Sequence, residues 1–165
     1  MEALQFIKEL GTYDPERCTI SMTFANPVLG ALTHVANGFA EKSKIKVSRN
    51  EANYKPKVGM DGHVVRQKSN NKSGSVEIHL LRQVSSTVDF FTALLIADEL
   101  DNSGIFQMNI NDGNSQDGWA CINCYVEKLA DEEVNQDADE VTYKIFVTQL
   151  EKIPRTGLPT PTTLV

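Results

Sequence analysis

Cys121-Ile-Asn-Cys124 is the spacing in this 165-residue chain that most resembles a chemical motif. A CxxC pair holds zinc when a second pair or histidines complete four ligands. It serves redox chemistry when a helix N-terminus lowers the thiol pKa. Neither condition is met, because the pair lies inside a strand-like run and Cys18 is remote in sequence. An odd count of three cysteines in a chain this long is no disulfide framework either. Structural, buried thiols are the expectation. His34, His63 and His79 are scattered, without HxH or HxxxH spacing, so no metal site is expected. Asp131-Glu132-Glu133 with Asp137, Asp139 and Glu140 invites calcium, yet the run lacks the glycine and spacing of an EF-hand. A solvated loop fits it better. Gly59-Met-Asp-Gly62 is too short for a phosphate loop and leads into a strand, and there is no GxSxG elbow. No enzyme, metal or cofactor is predicted.

Charge carries more information than any motif. The net charge is −6, but residues 42–82 hold ten of the sixteen bases and three acids, about +7. Residues 83–140 hold thirteen acids and one base, Lys128, about −12. A self-associating protein can use such a split by presenting opposite potentials on different faces. The plainer reading is that the segments interleave in space and their charges mix on a solvated surface. Specific nucleic-acid binding would need aromatics interleaved with the bases, or a basic recognition helix. Only Tyr54 interleaves in Lys42–Lys57, and the overall balance is wrong for tight phosphate binding.

The elements that would position these residues are mainly strands. Cys18–Phe24 alternates Cys18, Ile20, Met22 and Phe24 with Thr19, Ser21 and Thr23. Lys44–Ser48, Ser75–Leu80, Ile105–Ile110 and Val141–Leu150 alternate similarly, while Trp119–Lys128 is apolar on both faces and so is expected to be covered on both. His63–Lys68 is predicted to pair with Ser75–Arg82 as a hairpin across Ser69–Gly74. A helix over Thr87–Asp101 follows, with Ser86 and Asp89 forming an acidic capping box. Phe90, Leu94 and Ala97 centre its broad apolar face, and Asn102-Ser103-Gly104 ends it. Asp112-Gly113 is a hairpin signal. The fold class is therefore mainly β: a sandwich or barrel of about six to seven antiparallel strands with one packed α-helix, an extended loop and terminal arms.

The length fits one domain, 1–165, able to bury a core without disulfides or metal. It divides into an N-terminal arm over 1–14, a β-barrel core over 15–152 with its helix at 87–101, and an extended Pro-rich arm over 153–165. No apolar run approaches the roughly 18 residues that span a bilayer. The N-terminus lacks the layout of a signal peptide. Cytosolic synthesis without a membrane anchor is expected.

With these elements placed, Val58-Gly-Met-Asp-Gly-His-Val-Val-Arg66, Ser73-Gly-Ser-Val-Glu-Ile-His-Leu-Leu81 and Ser85–Leu95 resemble the core motif of tail tube proteins of contractile phages (myoviruses). Ile105–Asp112 and Ala120–Lys128 are similar to the later part of that pattern. The resemblance covers Ser43 to Leu150. It implies a structural virion protein, assembled in the host cytoplasm, that self-assembles into stacked hexameric rings forming the inner tail tube. Sheath and baseplate or terminator proteins are the implied partners, and genomic DNA passes through the lumen without specific binding. In that setting Glu41–Lys57 reaches the next ring, and Lys44, Lys46, Arg49, Lys55 and Lys57 are the candidate inter-ring contacts. Candidate lumen-facing residues are Thr19, Ser21 and Thr23, together with the Ser75, Glu77 and His79 face.

Two other readings remain open on the sequence. A type VI secretion-like tube protein would share the ring plan. A monomeric β-sandwich ligand-binding module would show exposed paired aromatics, a faint signal with one tryptophan.

Overall fold

Alternate apolar residues in several stretches turn toward one core. The computed structural model describes Asp14 and residues 17–26, 30–40, 45–131 and 140–154. Lys44 and most of both arms, 1–14 and 153–165, lie outside them. Along the chain run β1 (Cys18–Asn26), β2 (Gly30–Val35), β3 (Ile45–Arg49), β4 (Tyr54–Val58) and β5 (Val64–Lys68). There follow β6 (Gly74–Leu81), α1 (Ser86–Asp101), β7 (Phe106–Asp112), β8 (Asp117–Val126) and β9 (Glu140–Ile153). Seven strands form one sheet in the order β2-β1-β7-β8-β9-β6-β3, and β4 pairs with β5 alone. All of the pairings are antiparallel.

Period-2 alternation puts Ile20, Met22 and Phe24 of β1, Val76, Ile78 and Leu80 of β6, and Phe106, Met108 and Ile110 of β7 into one buried cluster. Val141, Tyr143, Ile145 and Val147 of β9 join them. Helix α1 lies over this core through Val88, Phe91 and Leu94, with the Phe91 ring 4.8 Å from Tyr143 and 6.3 Å from Phe106.

The mainly β fold with one helix is as expected, but the strands do not close into a barrel. Among the described residues the seven-stranded sheet keeps two edges, β2 and β3. Residues 36–40 strap its flanks together instead. Ala36 N–H donates to Ile20 O of β1 at 2.9 Å, whereas Leu81 N–H reaches Gly38 O at 2.7 Å and Ala40 N–H reaches His79 O at 3.0 Å. A five-residue segment that touches both flanks requires the sheet to curl around its core.

Three local expectations are corrected. β5 pairs back onto β4, not forward onto β6, because the tight Gly59–His63 connection joins them. Gly62 takes the left-handed conformation there (φ 87°), and Gly59 N–H donates to His63 O at 2.8 Å. β6 is a central strand instead, flanked by β3 and β9. The helix starts one residue earlier, at Ser86, and its N-cap Ser85 makes no side-chain cap bond. Asn37 of the strap caps it from outside: its Oδ1 accepts Ser86 N–H at 3.0 Å, and Ser85 Oγ donates to Asn37 O. Finally, the outward side chains Ile122 and Tyr125 of β8 stay exposed, so that strand is covered on one face within the protomer.

Cys121 and Cys124 are both buried, although residues three apart in a regular strand point to opposite faces. A bulge reconciles this. Asn123 adopts φ 53°, and the β7–β8 register shifts between Phe106 and Met108. Gln107 holds the bulge, accepting Asn123 N–H at 3.0 Å and donating to Asn123 Oδ1 at 2.9 Å, while Thr148 Oγ1 donates to Asn123 O at 2.9 Å. The Cys121 thiol beside Cys124 and the burial of the pair push the Cys124 thiol pKa far up, so it stays protonated.

Candidate assembly surfaces

The β4–β5 hairpin is the most exposed structured part of the protomer. Every residue of both strands is exposed, and Pro56 suits an edge. Cross-strand pairs Tyr54–Lys68, Pro56–Arg66 and Val58–Val64 share one face, and Lys55–Gln67 and Lys57–Val65 the other. The Arg66 guanidinium lies 4.0 Å from the Tyr54 ring centroid. Val58, Val64 and Val65 are 63–65% exposed and Met60 at the tip is fully so. An isolated two-stranded hairpin is marginal in water. Basic and apolar at once, this one is shaped for a partner surface.

The sequence-predicted basic contacts divide between outward-facing and internally used groups. Lys57 is exposed and Lys46 faces outward from β3, opposite Glu77. Lys55 is exposed too, but its charge helps hold the Glu51 carboxyl below its usual pKa, after hydrogen bonds from Ser69 and Asn71. Arg49 is engaged within the protomer: Nη1 donates to Asn53 Oδ1 at 2.9 Å and Nη2 to Leu150 O at 2.5 Å. That ties the β3–β4 turn to β9.

The two lumen candidates fall on the outward side of the same sheet but are not brought together, because β7, β8 and β9 lie between β1 and β6. Thr23 sits between Thr33 and Gln107, Ser21 between Val35 and Asn109, and Thr19 beside Asn111. This row carries no charge. On β6, Ser75 is buried, its hydroxyl 3.1 Å from that of Ser48. Glu77 lies between Lys46 and Lys144, and His79 meets Thr142 Oγ1 at 2.9 Å. Beside them Tyr125 and Phe146 stack with ring centroids 5.2 Å apart. The outward face thus changes from neutral and polar at β1 to charged and aromatic at β6–β9.

The edges themselves are surfaces that sequence reasoning missed. β2 (Gly-Ala-Leu-Thr-His-Val) was not foreseen, and it has no charge, proline or bulge to discourage pairing. Its signal was the absence of any breaker between Gly30 and Val35.

Two clefts among the described residues hold no catalytic arrangement. A groove of about 250 Å³ between β3, β8 and β9 is lined by Arg49, Lys152 and Trp119, with Lys152 Nζ 3.8 Å from the Trp119 ring. A second, of about 280 Å³, holds Asp131 and Lys128 as a solvent-exposed pair 3.9 Å apart. Among the described residues no three His, Cys, Asp or Glu converge on a metal position, and no helix is long and apolar enough to cross a membrane.

Comparison with known proteins agrees with a structural role. No curated protein matches the chain in sequence. The fold is similar to a chain in the cryo-EM structure of the anti-feeding prophage cap (AFP tube terminating cap), with a TM-score of 0.56 at 8% identity over 90% of this chain and 95% of that one. At that identity the likeness is one of fold alone. The family described as bacteriophage PhiTE tail tube protein matches residues 19–154, from β1 through the end of β9. The chain therefore belongs to the bacteriophage PhiTE tail tube protein family, whose members are structural proteins of a phage tail and not enzymes.

Proposed function

We propose that this protein is the repeating subunit of an inner tail tube, assembling into hexameric rings that stack and enclose a channel for the phage genome. The observation that carries this is the combination of two sheet edges left unpaired among the described residues with a basic, apolar hairpin exposed in the protomer. β2, an edge strand without charges, invites pairing with another chain, while the β3 edge carries Lys46 and Arg49. Pairing between neighbours extends the sheet around a ring, and Lys55 and Lys57 of the hairpin with Lys46 of β3 reach the next ring, with Lys44 and Arg49 as the remaining candidates. A contact of unlike surfaces does not close on itself and so propagates into a tube. Of the lumen candidates, the Thr19, Ser21 and Thr23 face is favoured, because an uncharged polar wall offers phosphates no counterion to exchange. Sheath and baseplate or terminator proteins are its partners in a contractile tail, assembled in the host cytoplasm. The family match supports this reading over a type VI-like tube. Negative-stain microscopy of the purified protein over a concentration series tests it. Six-fold rings or hollow tubes are expected; a lone particle at every concentration and ionic strength refutes it.

A further inference from the structure

We infer that the outward face of α1 is the seat for the β4–β5 hairpin of a second copy of this chain. The inference rests on the tube reading and names the surface that receives the hairpin.

The helix is apolar on more than the side it buries. Inward, Val88, Phe91 and Leu94 pack on the core. Outward, Ala93, Ile96 and Leu100 follow at helical spacing and form one stripe, with Ile96 51% and Leu100 80% exposed. A helix hydrophobic on both sides is normally covered on both. The stripe is bordered by Asp89, Glu99 and Asp101, and α1 contains no Lys or Arg. Asp98 is already used, accepting Gly104 N–H at 2.8 Å.

The hairpin answers this surface in kind. Its Tyr54, Pro56, Val58 and Val64 face is apolar, and Arg66 and Lys68 on that same face are basic. Dimensions agree as well. A five-residue strand runs about 16 Å, and eleven helical steps from Asp89 to Leu100 also span about 16 Å. Both surfaces are exposed in the protomer, so their complementarity is satisfied between copies. Since the two surfaces differ, the contact is heterologous and repeats along an axis.

Cysteine cross-linking of the full chain tests the pairing. In a Cys18→Ser background, a Val58→Cys copy and an Ile96→Cys copy with different tags are assembled together and oxidised by copper and dissolved oxygen. A mixed dimer is expected, at least tenfold above either variant assembled alone. Tubes that form without this cross-link, or with Ile96→Cys as open to maleimide as in the free protomer, overturn the inference and leave the tube reading standing. The second outcome would assign the helix face to another tail component. Absence of rings or tubes from the unmodified protein overturns both. Charge exchange provides a second readout. Arg66→Glu with Lys68→Glu, or Asp89→Lys with Glu99→Lys, each prevents tubes in a folded chain, and all four together restore them. A four-fold variant that is folded yet unassembled overturns the pairing.

Discussion

Asn37 and Ser86 are forty-nine residues apart in sequence, yet the Asn37 side-chain oxygen accepts both the backbone N–H of Ser86 at 3.0 Å and its hydroxyl at 3.2 Å. The strap that joins the two flanks of the sheet therefore also caps the helix. Asn37→Ala is expected to lose about 1–2 kcal/mol, the usual cost of a lost cap. At this chain length that lowers Tm by about 2–4 °C per kcal/mol. Asn37→Asp keeps the acceptor and should retain most of the stability. Equal melting of wild type and Asn37→Ala in calorimetry would remove the cap from this account.

The bulge at Asn123 gives a second prediction. Valine at that position carries the left-handed penalty of about 1–2 kcal/mol and loses the bond from Gln107 Nε2 to the Asn123 side chain, keeping only the backbone N–H for Gln107 Oε1. Glycine avoids the backbone strain and should be milder. A double-mutant cycle of Asn123→Gly with Gln107→Ala should show coupling of about 0.5 kcal/mol or more, as for other touching polar pairs. Additive free energies from chemical denaturation would show that the Gln107 bond to the Asn123 side chain does not help to hold the bulge.

Because Cys124 stays protonated in the fold, stability should depend on alkaline pH. The folded pKa is raised, so this thiol's contribution is full below the unfolded value of about 8.5 and declines as pH rises beyond it. The slope for one proton is about 1.4 kcal/mol per pH unit. Comparing urea midpoints of wild type and Cys124→Ala between pH 8 and 10 isolates the effect (both pH values being on the order of one to two units around the free thiol's pKa). Parallel curves would contradict it.

Reversing Lys46, Lys55 and Lys57 to Glu should leave a folded protomer while long tubes disappear from electron micrographs. The three side chains point outward, so circular dichroism and Tm should change little. Normal tubes from this variant would exclude these lysines from ring stacking.

For the lumen, Ser21→Lys with Thr23→Lys should still give tubes of unchanged diameter. Their new cations should retain DNA at low salt and release it as salt rises, with a log–log slope near −1 per phosphate engaged. Variant tubes that retain no more DNA than wild type would move the lumen to another face.

Where burial on one side of a strand writes itself as alternation, the fold was legible in the sequence. β1, β6, β7 and β9 all showed it, and the helix showed its stop at Asn102, which takes φ 59°. β2 and β4 were not legible. β2 lies at an edge where Leu32 and Val35 remain exposed, and β4 alternates but is interrupted by Pro56 and buries nothing. Neighbouring strand-like runs suggested a β5–β6 hairpin, but Gly59–His63, equal in length to Ser69–Ser73, folds back through its own backbone bonds and takes β5 away. The candidate surfaces were partly legible. Charge segregation pointed to the hairpin region, whereas the use of Arg49 inside the protomer depends on Leu150, a hundred and one residues distant. Burial of both CxxC thiols matches the sequence reading, but its cause, one left-handed asparagine, is invisible until the register is known.

Residues 36–40 latch a curled sheet shut with backbone bonds that, among the described residues, leave both of its borders unspent. A subunit built this way needs no loosening of its interior when it meets its neighbours. In the proposed tube, elongation would add pieces whose described core is already formed.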